Sequence, residues 1–180
     1  MKKIVYVAFS AEFLHSGHIK ILKKASSLGE VIVGVLTDEA ISSFKTIPLI
    51  NYEQRLLLFE NLKYVNKVIP QKTLDYRPNL RKIKPNYVVH GDDWKKGILK
   101  STRQQVVNEL KKWSGKLIEP KYTKNISSSE IRDQIYQTYK IKNNRTSFLK
   151  RLIKVKDITR IVESHSPLAS ILIEKKKILS

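Results

Sequence analysis

Unbroken apolar runs, rich in β-branched residues, recur along the chain and alternate with stretches of helical periodicity. The runs predict strands at residues 4–9, 31–36, 65–69, 87–90 and 116–118. The periodic stretches predict helices at residues 19–25, 54–62, 102–113 and 128–136, with Leu57, Leu58 and Leu62 on one apolar face of the second. Strands that are apolar throughout are typical of a parallel sheet buried between helices. The alternation therefore predicts an α/β fold with a Rossmann-like, doubly wound parallel sheet.

The pattern changes after Tyr139, where a strongly basic segment begins. Asn143-Asn144 interrupts the chain, and residues 148–153 then follow the pattern of a basic amphipathic helix. Residues 169–173 form one further apolar run, and three lysines at 175–177 follow it. We therefore predict two regions, an α/β domain over residues 1–139 and a short helical basic C-terminal extension over residues 140–180.

The composition limits the cellular setting. The 180 residues include no cysteine, which excludes disulfides and thiolate metal sites and is compatible with a reducing interior. No apolar stretch approaches the roughly 18 residues that a membrane helix needs, and the N-terminal apolar run is too short for a signal peptide. We expect a cytoplasmic protein that does not contact a membrane.

The net charge of +19, from 35 basic and 16 acidic residues, suits anionic partners. Such a balance is typical of nucleic-acid binding, or of a general attraction for nucleotides and phosphates. The basic residues of the α/β region are dispersed, and the chain lacks a recognisable motif with interleaved aromatics that reads RNA or DNA. This favours small anions and predicts no specific nucleic-acid partner, with a basic nucleic-acid-binding module as the alternative.

Ligands of doubly wound sheets bind beyond the carboxyl ends of the strands. In this chain those positions correspond to residues 10–18, 37–45, 90–94 and 122–129, where polar residues concentrate. The functional side chains are therefore expected in these four segments.

The segment His15-Ser16-Gly17-His18 directly follows the first strand and opens the first helix. Gly17 allows backbone to approach a ligand closely, and a helix start presents free N–H groups and a positive dipole end. The two imidazoles can donate to phosphate oxygens, or they can be capping or surface histidines. The position after the first strand favours the anion site, and a metal site is disfavoured because no third ligand lies nearby.

Two further segments carry candidate chemistry. Gly91-Asp92-Asp93-Trp94 can bind ribose hydroxyls and cover a base, or form an ordinary loop and helix cap. The serine run at 127–129, followed by Glu130, predicts a helix N-cap that can also bind an anion. Lys45 and Arg55 are candidate phosphate contacts, or routine surface charges.

In their order along the chain, these motifs resemble the HxGH nucleotidyltransferases, and specifically their cytidylyltransferase branch. The residues that carry the resemblance are His15-Ser16-Gly17-His18, Lys45, Tyr52-Glu53-Gln54-Arg55, Gly91-Asp92-Asp93-Trp94 and residues 122–128. The resemblance spans about residues 2–137. The chain departs from the family pattern at Glu12, where Asp is usual, at Tyr122, where many relatives have Arg, and at Lys124-Asn125, which replaces Glu-Gly.

A closer resemblance is to the phosphonate cytidylyltransferase domain that is fused ahead of phosphoenolpyruvate mutase. Residues 73–82, 88–95 and 101–104 carry it, and residues 160–174 are similar to the opening of the mutase domain. The segment stops far short of the mutase catalytic loop, as in a truncated or shortened relative, so we expect no mutase activity.

The resemblance implies that a phosphoryl oxygen of the acceptor attacks the α-phosphate of CTP in line and that pyrophosphate leaves. It implies that His15 and His18 hold the triphosphate and that Lys45 bridges the two phosphoryl groups. Nucleotide contacts are implied for Phe9, Ser10, Gly17, Asp92, Trp94, Tyr122, Thr123, Ile126, Ser127 and Ser128, and acceptor contacts for Arg55 and Arg103. Mg²⁺ is expected to accompany CTP without a protein-only metal site. Relatives are often dimers, so a homodimer is an option.

Several alternatives stay open. The acceptor can be 2-aminoethylphosphonate, another phosphonate, or a phosphocholine-like or glycerol-phosphate-like molecule. An adenylyltransferase of the same superfamily is the nearest rival, and residues 126–132 alone would suit it. A regulatory domain that binds nucleotide without turnover is a third possibility, which the intact His15 and His18 pair disfavours.

Overall fold

The computed structural model describes residues 2–95, 97, 99–121, 127–139, 150 and 153–155, with residues 136–139 described by their backbone alone. The chain divides into two compact units, Met1–Ile141 and Lys142–Ser180, and the first contains the sheet. Most of the predicted basic helix and the whole apolar run at 169–173 lie outside the described residues. Within the part that is described, no helix is long and apolar enough to cross a bilayer.

Five strands form one parallel sheet. They are β1 (Ile4–Phe9), β2 (Glu30–Leu36), β3 (Lys67–Gln71), β4 (Tyr87–Val89) and β5 (Lys116–Ile118). Their order is β3-β2-β1-β4-β5, and β1 lies opposite both neighbours in parallel register, with Val7 beside Val33 and Tyr6 beside Val88. The chain winds outward from β1 to β3 and then returns to the far side of β1. The topological switch point, where such sheets bind ligands, therefore lies between β1 and β4.

Helices cover both faces of the sheet. The described α-helices are α1 (Ser16–Ser26), α2 (Asp38–Ser42), α3 (Tyr52–Glu60), α4 (Arg77–Ile83), α5 (Lys100–Leu110) and α6 (Ser128–Tyr139), and 3-10 turns lie at Asp92–Lys95 and Lys111–Trp113. Side chains of β1 alternate between two cores. Val5 and Val7 pack with residues of α1 and α3, whereas Tyr6 and Ala8 pack with residues of α2, α4 and α5. The predicted doubly wound α/β fold is confirmed.

The buried face of α3 differs from the prediction. Leu57 and Leu58 are 61% and 43% exposed, so their placement on a core-facing stripe is wrong. The helix instead buries Arg55 and Phe59 completely. The apolar pattern predicts a hydrocarbon side chain on the buried face, but an arginine lies there instead. The face predicted from the apolar residues therefore differs from the face that is buried.

Strand β3 starts and ends two residues later than the apolar run at 65–69 suggests. The Val65 N–H donates to the carbonyl of Leu62, so Val65 still belongs to the turn after α3. Asn66 then binds the backbone of Val31 through both its N–H and its side-chain oxygen, which sets the register of the strand that follows. β3 includes Pro70, and an edge strand tolerates proline because one of its sides has no ladder partner.

Candidate active site

A cavity of about 180 Å³ opens at the carboxyl edge of the sheet, beside the switch point. Its walls come from the ends of β1, β2, β4 and β5 and from the first turns of α1 and α6. Eight residues that the sequence analysis singled out line it, namely Phe9, Ser10, His15, Gly17, His18, Lys45, Ser127 and Ser128. Segments that are far apart in the sequence therefore meet where the strand-end rule expects a ligand.

His15 and His18 cap the first turn of α1 reciprocally. The Nδ1 atom of His15 accepts a hydrogen bond from the Gly17 N–H at 3.1 Å, and the Nδ1 atom of His18 accepts from the His15 N–H at 3.3 Å. This is the arrangement of a capping box, with imidazole nitrogens in place of the usual oxygens. The two ring centroids lie 3.8 Å apart. Capping and anion binding were alternative predictions for these two residues. Both histidines cap the helix, and both still line the cavity.

The capping bonds determine which ring nitrogens carry protons. Because each Nδ1 accepts a hydrogen bond from an N–H, it is unprotonated, and each neutral ring carries its proton on Nε2. Burial lowers the pKa of the His18 ring to about 3, and the nearby His15 and Lys45 act in the same direction. Burial also lowers the pKa of His15, which nearby Glu130 partly offsets. Both rings are therefore neutral near pH 7, each with one N–H donor at Nε2.

Aromatic packing fixes the plane of the His18 ring. The Phe9 ring meets it edge-on, with centroids 5.0 Å apart and planes at 87°. Phe9 is in turn stacked on the buried Phe59 of α3, with centroids 5.4 Å apart. The position of His18 is thereby set by the core on this side of the sheet, which limits the rotamer freedom of the ring.

Lysines make the cavity electropositive. Lys20, Lys45 and Lys121 line it, against a single acidic side chain among the described lining residues, Asp93. Lys45 is exposed to solvent at the rim, yet the surrounding wall lowers the pKa of its amine, and nearby Asp93 partly offsets this. An unbalanced positive field in a concave site attracts and concentrates anions.

The first turn of α6 completes the wall. Ser127 Oγ accepts a hydrogen bond from the Glu130 N–H at 3.1 Å, so the predicted N-cap is present. Ser128 Oγ donates to the carbonyl of Phe13 at 3.1 Å, which commits this hydroxyl proton to the protein. The anion-binding capacity of this turn therefore comes from the Ser127 hydroxyl and from the N–H groups that a helix start presents.

Two neutral imidazole donors, a helix start and several ammonium groups converge on one cavity, and this set is suited to a polyanion such as a polyphosphate. Residues 10–134 match the family described as cytidylyltransferase-like, which is more than half of the chain. The chain belongs to this family. The predicted nucleotidyltransferase activity class is thereby confirmed at the level of the family.

The chain is also similar to individual proteins over about half to two thirds of its length. Glycerol-3-phosphate cytidylyltransferase of Bacillus subtilis (strain 168) is 36% identical over 97 residues, which cover 52% of this chain and 74% of that protein. FAD synthase of Methanopyrus kandleri is 33% identical over 97 residues, covering 52% of this chain and 65% of that protein. The crystal structure of the lipopolysaccharide core biosynthesis protein from Thermoplasma volcanium GSS1 matches with a TM-score of 0.59 and 27% identity, over 68% of this chain and 99% of that one.

Arg55 has a different place in this cytidylyltransferase-like protein from the one predicted. An acceptor contact was predicted for Arg55, but its side chain is fully buried. Its Nη2 donates to Asp38 at 2.8 Å, and its Nη1 donates to the carbonyl of Ser10 at 2.8 Å. Arg55 is therefore a core residue that anchors the chain directly after β1, and the predicted acceptor contact is wrong for this structure.

Trp94 and Arg103 are not among the described residues that line the cavity. Trp94 is 1% exposed, and its Nε1 donates to Glu119 at 2.7 Å. Arg103 donates to both carboxylate oxygens of the same Glu119, and this lowers the pKa of Glu119 to about 2. Because Trp94 is buried, the prediction that it covers the ligand is wrong. The side chain of Arg103 is 30% exposed, and its contact with the acceptor stays a prediction. The three side chains instead tie the turn after β4 to α5 and to the segment after β5.

His90 is a lining residue that the sequence analysis did not propose for the site. Its ring is stacked on Trp94 with centroids 3.8 Å apart and planes at 6°, and its Nδ1 lies 2.8 Å from the Gly91 carbonyl. A carbonyl can only accept, so Nδ1 carries the proton, and burial lowers the pKa of the ring. The signal was its place at the end of β4, immediately before Gly91-Asp92-Asp93-Trp94.

The remaining predicted nucleotide contacts divide into two groups. Asp92 is not among the described residues that line the cavity, whereas its neighbour Asp93 is. Tyr122, Thr123 and Ile126 lie outside the described residues. Within the described part of the chain, no group of three or more His, Asp or Glu side chains could hold a metal ion.

Proposed function

We propose that this protein transfers CMP from CTP to a small acceptor that bears a phosphate or phosphonate group and releases pyrophosphate. The observation that carries the proposal is the reciprocal capping of His15 and His18. It leaves two neutral rings with protonated Nε2 atoms on the wall of an electropositive cavity. Membership of the cytidylyltransferase-like family and the relative named glycerol-3-phosphate cytidylyltransferase support CTP and a phosphate-bearing acceptor.

In the proposed reaction, an oxygen of the acceptor's phosphoryl group forms a bond to the α-phosphorus of CTP. The bond from that phosphorus to the bridging oxygen of the β-phosphate breaks, and the electron pair leaves with pyrophosphate. No covalent enzyme intermediate is required. The protein acts by positioning the two reactants and by stabilising negative charge on the equatorial oxygens.

Each cavity residue has a role that follows from its protonation and position. Nε2–H of His15 and of His18 donates to the triphosphate and to the α-phosphoryl oxygens as charge develops on them. Lys45 neutralises charge between the acceptor and the α-phosphate. Ser127 and the N–H groups at the start of α6 hold the terminal phosphates.

The cavity residues fit a Mg²⁺ ion that is carried mainly by the triphosphate. Mg²⁺ bound with nucleotides usually uses one or two carboxylates and the phosphate oxygens rather than a protein cage. Asp93 is the carboxylate on the described wall and would be its protein ligand. The ion would neutralise the triphosphate and its leaving group.

For the acceptor we propose a phosphonate such as 2-aminoethylphosphonate. Its support is the resemblance of residues 73–82, 88–95 and 101–104 to the phosphonate branch of the family, together with the mutase-like residues 160–174. A phosphate monoester, such as the glycerol phosphate named in the relative, is the alternative acceptor.

A second candidate function is adenylyl transfer in the same cavity. It is favoured by the relative named FAD synthase, since FAD contains an adenylyl group. The polyphosphate-binding groups would act in the same way, and only the base and the acceptor would differ.

The test is a pyrophosphate-release assay with CTP or ATP against phosphonates, glycerol phosphate, phosphocholine and flavin mononucleotide. We expect release with CTP and a phosphonate or small phosphate monoester. His18→Ala should lower kcat by roughly 10²–10³-fold, the cost of deleting one donor to a transition-state oxyanion. Arg81→Met, on the outer surface of α4, is the control variant and should keep wild-type turnover.

The outcomes separate the candidates. Turnover with ATP and flavin mononucleotide alone would replace cytidylyl with adenylyl transfer. A folded His18→Ala variant with wild-type kcat would refute the role of the imidazole pair, whichever nucleotide is used.

A further inference from the structure

Glu12 is a buried carboxylate in the segment between β1 and α1. It is 5% exposed, and its two oxygens bind different partners. Oε1 accepts a hydrogen bond from the Leu49 N–H, and Oε2 accepts from Nη2 of Arg132 on α6. A carboxylate can stay ionised in such a position when donors and an opposite charge compensate for lost hydration. Glu12 thus joins three parts of the chain that are distant in sequence.

Each of the three joined segments supplies side chains to the candidate active site. The segment that contains Glu12 continues into His15, Leu49 follows Lys45 by four positions, and Arg132 lies one turn after Ser128 on α6. A second cavity of about 270 Å³ is lined by Glu12 and Arg132 and also by Lys45 and Ser128, which line the main cavity as well. The ion pair therefore lies directly beside the proposed triphosphate site.

A second bond strengthens the same junction. Ser128 Oγ donates to the Phe13 carbonyl at 3.1 Å, next to Glu12 in the sequence. The first two turns of α6 are thereby attached to this segment at two points separated by one helical turn, Ser128 and Arg132. Two attachments on one face of a helix fix its rotation as well as its distance.

We propose that Glu12 and Arg132 form a positioning pair that places the anion-binding first turn of α6 against the imidazoles of His15 and His18. Neither side chain is required to touch the nucleotide. The inference rests on the proposed function for the identity of the ligand, and it rests on the described contacts for the placement of the helix.

The pair has a kinetic signature different from that of the histidines. The start of α6 is proposed to hold the terminal phosphates, which stay bound in both the ground state and the transition state. Loss of such uniform binding raises KM and leaves kcat nearly unchanged. We expect Arg132→Met to raise the KM for CTP by about 10- to 100-fold, by analogy with the loss found when groups that orient metal ligands are removed. His18→Ala should instead act mainly on kcat.

The experiment compares Arg132→Met, Arg132→Lys and Glu12→Gln with wild-type protein, and it uses Arg81→Met as the matched control. Arg81 also pairs with a buried glutamate, Glu109 at 2.8 Å, but on α4 and α5. Equilibrium binding of inorganic pyrophosphate is measured by calorimetry beside kcat and the KM for CTP, and circular dichroism reports folding.

We expect Arg132→Met and Glu12→Gln to weaken pyrophosphate binding. The double variant should bind no more weakly than the weaker single variant, because both substitutions remove the same interaction. Arg132→Lys should recover part of the affinity, and Arg81→Met should bind like wild type. Glu12→Gln keeps an acceptor for the Leu49 N–H and should therefore disturb the fold less. It provides the test if Arg132→Met fails to fold.

Wild-type pyrophosphate affinity in folded Arg132→Met and Glu12→Gln, or strictly additive losses, would overturn the positioning pair. If wild-type protein binds pyrophosphate but transfers no CMP, the proposed function is wrong. The pyrophosphate affinities of the variants still test whether Glu12 and Arg132 position the helix. If wild-type protein does not bind pyrophosphate at all, both proposals are overturned.

Discussion

The histidines of the first helix show how one side chain can serve a structural and a chemical purpose. Nδ1 of each ring satisfies a backbone N–H that the helix start would otherwise leave without a partner. The cap also fixes the tautomer, so the proton is held on Nε2. A serine or aspartate at position 15 would cap the helix equally well, but it would not present an N–H donor.

The shifted titration of His18 predicts how stability depends on pH. Its folded pKa of about 3 lies below the unfolded value of 6.5, so the unfolded chain binds the proton first. The contribution of neutral His18 to the free energy of unfolding is complete above about pH 6.5. It is lost as the pH falls toward about 3, by at most about 1.4 kcal/mol per pH unit. We expect the free energy of unfolding in urea to fall by up to about 2 kcal/mol more in wild type than in His18→Gln between about pH 7 and about pH 5. Equal pH dependence in the two proteins would contradict the assigned pKa.

The places of some single residues could be predicted from the sequence, and those of others could not. The motif His15-Ser16-Gly17-His18 and Lys45 could be placed in the site because each follows a strand. Arg55 could not be separated from a ligand-binding arginine, because its partner Asp38 lies 17 positions away and no periodicity connects the two. The positive φ of Ala11, 32°, is equally invisible in the sequence, since alanine gives no sign of a left-handed backbone.

Among the secondary-structure elements, each strand was predicted from its apolar run, whereas the two shortest described α-helices were not predicted. Strand β1 and strand β5 begin and end where the sequence analysis placed them. Helices α2 and α4, of five and seven residues, were missed because they are too short to show a period. Tertiary context decided the buried face of α3, where the Arg55 and Asp38 ion pair replaces an apolar contact.

The end of α4 offers a test of backbone strain. Lys84 adopts a left-handed conformation, with φ 46° and ψ 57°, and its N–H donates to the Leu80 carbonyl. Glycine takes this conformation without the steric cost that a Cβ brings. We expect Lys84→Gly to raise the free energy of unfolding by about 0.5–1 kcal/mol, after the greater freedom of glycine in the unfolded chain is counted.

The matched control for this change is Lys82→Gly, two residues earlier, within α4 and also exposed. There the backbone is helical, and glycine should lower stability by about 0.5–1 kcal/mol. Denaturation in urea measures both variants. A loss of stability in both would show that the left-handed conformation of Lys84 carries no strain.

On the scale of the whole molecule, the charge of +19 and the electropositive cavity act together. A dispersed positive surface raises the local concentration of any polyanion, and the lysines of the cavity select where it binds. The proposed nucleotide ligand is one anion that such a positive surface would attract.

Ionic strength should therefore affect nucleotide binding more than turnover. Between about 50 mM and about 300 mM NaCl the screening length falls from about 14 Å to about 6 Å. We expect the KM for CTP to rise several-fold over this range while kcat changes little, as measured by pyrophosphate release. Lys121→Met, on the cavity wall, should weaken the dependence of this KM on salt concentration. Lys116→Met, at the opposite edge of the sheet, should weaken it less. If both variants weakened the salt dependence of the KM equally, that dependence would come from net charge alone.

The hydrogen bond between Ser128 and the Phe13 backbone joins residues 115 positions apart. A ribosome releases both histidines and the first four strands long before it releases the serines that face them. A nascent chain thus lacks the part of the cavity wall formed by the start of α6 until these serines have left the ribosome. The proposed triphosphate site is therefore complete only after α6 has been made and has bonded to the backbone of Phe13.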